Sequence, residues 1–270
     1  MKKTTTLLIL AVALLLNSCS SVPITGRKQL NLVSDQTVLQ SSLASYQSFM
    51  TSAKQSNAIS TDKTKSAQVV RVGQKIAAAT EAYLKATGME SEIKNFAWEF
   101  NLVKSNEMNA WCMPGGKIVV YEGIMKIVSS DDDLAVVLGH EVAHAVAKHA
   151  NERMSQQVAA QAGAQVLAGV LSGQSYQTQA MAQQVYGLGA QYGVMQPFSR
   201  KHESEADKMG LVLMTIAGYN PQNAITFWQK MNANSQTKIP EFMSSHPSHE
   251  TRIKDLTKWV PEVQKQYGRK

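Results

Sequence analysis

The chain is poor in cysteine, with two among 270 residues, and it holds no uninterrupted apolar segment long enough to cross a membrane. If the first of the two, Cys19, is consumed by modification, Cys112 stands alone and no intramolecular disulfide is available. Aromatic residues make up 7% of the chain and are not interleaved with an Arg/Lys stripe. The formal net charge of +7 is spread out, and Lys2 and Lys3 lie in the first three residues. Nucleic-acid binding is therefore not indicated, and the charge supports only a weak preference for anionic lipid surfaces. Charge is missing altogether from Met154 to Val194, and no internal repeat recurs at a fixed period. What is present, 44% apolar and 17% charged residues, suffices for one sizeable core.

The first residues carry a processing signal. Lys2 and Lys3 precede an apolar run from Leu7 to Leu16, followed by "LNSC" ending at Cys19. That run is about half of the ~20 residues a membrane span needs, which makes residues 1–18 a signal peptide. "LNSC" resembles the bacterial lipobox, in which the cysteine becomes the lipidated first residue; ordinary cleavage at a nearby small residue is the alternative. The lipobox implies an exported chain held at a membrane by acyl groups. Ser20 is compatible with sorting to the outer membrane, facing the periplasm.

Residues 19–60, polar and rich in Ser, Thr and Gln, suit a lipid anchor and tether and then a docking segment, and 61–256 a catalytic domain. "AQVVRVGQKIAAATEAYLKAT" has helical spacing and ends before Gly88. "NFAWEFNLVKS" predicts a strand, and "NAWCMPGGKIVVYEGIM" a strand, a Pro-Gly-Gly turn and a second strand. In "AWCMP", Cys112 reads as a small core residue rather than a reactive thiol. Ser129 or Ser130 caps the next helix, with Asp131, Asp132 and Asp133 in its first turn. Glutamines interrupt every long apolar window of the charge-free stretch 154–194, so amphipathic helices joined near "SGQS" are expected, as a lid or membrane-surface insertion. Residues 257–270 read as a basic tail.

Within "VLGHEVAHAVAKHA", His140, Glu141 and His144 match H-E-x-x-H. With six histidines in the chain, a chance match has odds of about one in 150, so geometry must carry the argument. On a helix His140 and His144 lie ~40° apart and reach one ion, with Glu141 ~60° beyond. Zinc accepts two imidazoles and a carboxylate and keeps a fourth position open; Glu141 is then placed to take a proton from water. His149, about 180° from His140 on a continuous helix, reads as a surface residue. Leu134, Val137, Leu138, Val142 and Val146 mark the helix as buried, where unpaired histidines would be costly.

"HESEAD" offers the third ligand. On a helix Glu203 and Asp207 share a face while Glu205 points ~160° away, so Glu203 can ligate and Asp207 can sit behind a ligand histidine.

H-E-x-x-H followed some sixty residues on by S-R-x-x-E-x-x-A-D resembles the zinc metallopeptidases (gluzincins) typified by HtpX and the CAAX prenyl endopeptidases, in particular the soluble lipoprotein branch that includes LoiP and BepA. The resemblance runs from about 60 to 255 and includes "NAWCMPGG", Ser199 and Arg200, and "HPSHETR" from His246 to Arg252. It implies an α+β fold, mainly helical with a small antiparallel sheet. The edge strand at Asn109, Ala110, Trp111, Cys112, Met113, Pro114 and Gly115 would align peptide substrate by backbone pairing. It places His246 either as an oxyanion donor or as a latent zinc ligand. Arg252 is either a brace of the catalytic site or a surface residue. Unlike the integral-membrane members, this chain has no spanning helices.

Together these features point to a membrane-tethered zinc endopeptidase, with one Zn2+ per chain, acting on exported or envelope proteins in quality control, Glu141 and His246 being its catalytic side chains. A chaperone or assembly factor with a latent zinc site, working with the envelope assembly machinery, is the alternative.

Overall fold

The computed structural model describes residues 19–234, 241–246 and 251–268. The leader expected at 1–18, and residues 247–250 of the "HPSHETR" motif, lie outside the described residues. The chain forms two compact units, one from the residues up to Val38 together with Lys148–Lys201, the other from Leu39–Ala147 and His202–Lys270.

In the first unit, strands β1 (Cys19–Ser21) and β2 (Lys28–Leu30) pair antiparallel, with Cys19 opposite Leu30. The segment expected to be a tether is thus structured from its start; helix α1 (Asp35–Gln55) begins in this unit with buried Val38 and runs on into the second unit, where Tyr46 and Ala53 are buried. Polar partners hold it. Arg27 makes a two-pronged ion pair with buried Glu152 (2.9 and 2.7 Å), and Ser155 Oγ accepts the Leu32 and Val33 amides. Glu152 and Ser155 belong to helix α4 (His149–Val170), which turns through residues 171–175 into helix α5 (Tyr176–Leu188), capped by Ser175. The two helices touch where Tyr186 Oη donates to the Ala160 carbonyl, over Gly163. Val166, Val170, Tyr176, Met181 and Val185 remain exposed along this hairpin. A π-helical turn (Gly189–Met195) leads into α6 (Gln196–Ile216).

In the second unit, helix α2 (Lys63–Ala86, capped by Asp62) lies on a three-stranded sheet of β3 (Glu99–Val103), β4 (Ala110–Met113) and β5 (Lys117–Tyr121). The order is β3-β5-β4, with β4 antiparallel and β3 parallel to β5. The sheet is therefore mixed, where an antiparallel one was expected. The Pro-Gly-Gly turn, whose Gly115 and Gly116 take φ of 95° and 78°, makes an antiparallel hairpin, but β5 then inserts between β4 and β3 instead of adding outside. Helix α3 (Asp131–Val146), α7 (Asn223–Asn234), α8 (Glu241–Ser245) and α9 (Arg252–Tyr267) complete the unit.

Two expectations about helix ends change. Helix α3 stops at Val146, Lys148 adopts a left-handed φ of 54°, and His149 opens α4 with 2% exposure, so His149 is buried rather than on the surface of one long helix. The expected basic tail is helical through Tyr267, because Leu256, Val260 and Val263 recur at i, i+4 and i+7 and are buried.

Candidate metal centre

Helix α3 begins with a reciprocal cap: Ser130 Oγ accepts the Asp133 amide and Asp133 Oδ2 accepts the Ser129 amide. Three turns on, the helix crosses α6 at a pair of glycines. A Cβ on Gly210 would stand 2.9 Å from the His140 backbone nitrogen, and one on Gly139 3.0 Å from the Gly210 carbonyl oxygen. Only residues without side chains allow so close a crossing, and it brings His140 and His144 of α3 against Glu203 and Asp207 of α6.

The His140 and His144 Nε2 atoms are 3.1 Å apart, and Glu203 reaches them at 3.3 and 3.5 Å. Just beyond the end of α8, His246 Nδ1 comes within 3.1 Å of Glu203 Oε2 and 3.3 Å of His140 Nε2. Ligands of a tetrahedral zinc at about 2.0–2.1 Å are separated by roughly 3.3 Å. The separations among His140, His144 and Glu203, 3.1–3.5 Å, lie close to that figure, and two ring nitrogens aimed at each other without a cation or proton between them would repel. Among the described residues these four form the one group that could hold a metal ion.

Asp207 Oδ1 accepts the Nδ1 proton of His140 at 2.9 Å, which turns Nε2 toward the cluster. Arg252, 3% exposed, clamps Asp207 at 2.6 and 3.1 Å and Glu203 at 3.3 Å. Its guanidinium lies 3.6 Å above the ring of Trp228, whose ring is 6.0 Å from that of His140. Phe242 packs against both His140 and His246. Trp228, Phe242, Gly139 and Gly210 were not expected from the sequence; only the short interval from Phe242 to His246 hinted at one of them.

Without metal, burial pulls the His140 imidazole down, but hydrogen bonds to Asp207 and Glu203 outweigh it and hold the pKa up at about 9. Burial drives His144 down to about 3. One protonated and one neutral ring at 3.1 Å is the electrostatically consistent pair. Burial opposes ionisation of Glu203, yet the surrounding imidazoles hold it far below the usual carboxylate range. Glu141 points elsewhere: burial raises its pKa, its Oε1 is buried without a hydrogen-bond partner, and His246 Nε2 lies 3.4 Å away. Such a carboxylate is poised to accept a proton. Glu205 is buried, 7% exposed, but outside the donor cluster.

Strand β4 packs on α3 and is a sheet edge. The Tyr121 amide donates to the Asn109 carbonyl, so by alternation Trp111 and Met113 face β5 with their backbone while that of Ala110 and Cys112 faces outward. The Trp111 side chain packs edge-on against Tyr46 and Phe49. Cys112 is half-buried, and burial close to Glu141 pushes its thiol well above the ordinary range, leaving no thiolate.

A fixed pair of histidines and a glutamate, beside a buried carboxylate of raised pKa and an edge strand, places this unit in the metallopeptidase class. Comparison with known proteins narrows the class. Residues 63–260 match the sequence profile of Peptidase family M48, and the chain belongs to that family. It is 34% identical over 178 residues to the mitochondrial metalloendopeptidase OMA1 of Schizosaccharomyces pombe, covering 64% of this chain and 50% of the relative. It is 30% identical over 258 residues to human OMA1, covering 90% of this chain and 46% of the relative. The beta-barrel assembly-enhancing protease of Escherichia coli is 27% identical over 167 residues, 58% of this chain and 33% of the relative. The chain thus spans about half or less of the length of these relatives.

Proposed function

We propose that the chain is a zinc metalloendopeptidase of the M48 family's soluble lipoprotein branch, tethered through Cys19 and hydrolysing peptide bonds in exported or envelope proteins. The observation that carries this reading is the convergence of His140, His144 and Glu203 beside the buried carboxylate of Glu141. One zinc held by those three residues would polarise the scissile carbonyl and acidify a water. Glu141 takes the proton of the attacking water and later returns it to the leaving amine. The outward carbonyls of Ala110 and Cys112 hold the substrate extended as an added strand, while the Cys112 amide is engaged by the Glu141 carboxylate. Asp207, clamped by Arg252, fixes the His140 tautomer.

In this reading His246 Nδ1 serves as a fourth, latent ligand, supported by its 3.1 Å approach to Glu203. Removing its imidazole then raises basal cleavage of unfolded casein, whereas an oxyanion donor would lose about a hundred- to a thousandfold in kcat. The name of the Escherichia coli relative, a beta-barrel assembly-enhancing protease, supports contact with an assembly machinery, and the lipobox with Ser20 supports a place in envelope quality control at an outer membrane, facing the periplasm. The four-donor closure also suits an assembly factor whose site stays shut. Glu141→Gln separates the two: the variant keeps zinc, and a protease loses casein cleavage and cellular function, while an assembly factor keeps its function. Used as a substrate trap in the native envelope, the same variant identifies the substrates.

A further inference from the structure

The first unit contains a cavity of about 670 Å³, far from small and with mostly apolar walls, between β2, α4 and the end of α5. Leu30, Ala159, Ala160 and Met195 line it. Its volume falls in the ~300–1,000 Å³ range of small-molecule sites. The charged groups at its edge are already engaged: Glu152 by Arg27, and Lys28 by Ser21 at 2.7 Å. Nothing here calls for a charged ligand. Gln29 and Gln156 also line the cavity, and each buries one amide atom without a hydrogen-bond partner, the acceptor Oε1 of Gln29 and the donor Nε2 of Gln156. Gln29 is 3% exposed, so such an orphan is costly unless something bonds it.

We propose that this cavity receives one acyl chain carried by the protein's own Cys19, an inference that rests on the lipid-anchor reading above. Cys19 is paired directly with Leu30, and paired Cα atoms in an antiparallel ladder are about 5 Å apart, which sets the modified residue one strand spacing from the cavity wall. An acylated, diacylglyceryl-bearing cysteine brings apolar chains for the walls, ester carbonyls for Gln156 and an amide N–H for Gln29. The stretch of α4 and α5 from Met154 onward carries no charge that would oppose an alkyl chain. A chain held here is withdrawn from the bilayer, so the protein's grip on a membrane is weaker than its full set of acyl chains would provide.

The test uses the full-length protein made in a bacterium that acylates lipoproteins and is fed a diazirine-bearing palmitate. After irradiation in membranes, peptide mass spectrometry is expected to find the modified N-terminal peptide cross-linked to segments 156–160 and 186–195. Ala159→Trp should cut those adducts at least fivefold while circular dichroism stays native. An acylated N-terminal peptide with no adducts in those segments overturns the proposal and leaves the anchor intact. An N-terminal peptide without acyl mass overturns the anchor reading itself. Adducts at the same segments formed in Cys19→Ala by a diazirine phospholipid in vesicles, but not by the chain's own acyl group, assign the cavity to membrane lipid and also overturn the proposal.

Discussion

Glu203 and Glu205 stand two positions apart on α6, both buried, and only Glu203 faces the histidines of α3. Purified Glu203→Ala should lose its zinc by elemental analysis while Glu205→Ala keeps it; equal loss from both would refute the face argument. Behind the donors, Trp228 acts on the site through Arg252. Trp228→Leu should weaken zinc binding about ten- to a hundredfold in a competition titration, the usual scale for a residue that orients a ligand, with substantial recovery in Trp228→Phe. The carboxylates were legible because helical periodicity assigns them to faces. Trp228 was not, since an aromatic residue on a core helix looks the same whether or not a guanidinium lies on its ring.

The crossing of α3 and α6 depends on two absent side chains. Gly210→Val should force the helices apart, costing about 1–3 kcal/mol in urea unfolding and lowering zinc content in the same preparation. Unchanged stability and zinc would mean that the crossing tolerates a side chain. The start of α3 gives a pH signature. Asp133 is 1% exposed; burial opposes its ionisation, but the Lys230 ammonium at 2.8 Å and the Ser129 and Asn223 hydrogen bonds outweigh burial and hold its pKa below the ordinary value. A depressed carboxylate stabilises the fold above its unfolded pKa of about 3.9, and that contribution is lost as pH falls through the folded value. Asp133→Asn should therefore cost roughly 1–3 kcal/mol near pH 7, with the gap from wild type closing below about pH 4 in pH-dependent unfolding.

For the whole molecule, no helix among the described residues is long and apolar enough to cross a membrane. If the acyl anchor holds, Cys19→Ala should move the protein to the soluble fraction. Persistence on the membrane through a carbonate wash would instead implicate the exposed apolar residues of the α4–α5 hairpin, Val166, Val170 and Tyr176 among them. The sequence foretold that hairpin's two helices and their turn, because glutamine and alanine set the helical character locally and "SGQS" interrupts it.

Local geometry explains what was decided before any tertiary contact formed. The i, i+4 spacing of His140 and His144, the face shared by Glu203 and Asp207, and the turn at Gly115 and Gly116 follow from backbone periodicity and φ preference alone. Other features required the folded chain. The parallel placement of β3 against β5, the break at Lys148 that buries His149, the glycine crossing and the approach of His246 Nδ1 to Glu203 each join residues distant in sequence or depend on what packs around them. Such contacts leave no periodic trace in the chain, since their energy comes from neighbours that only the tertiary structure brings together.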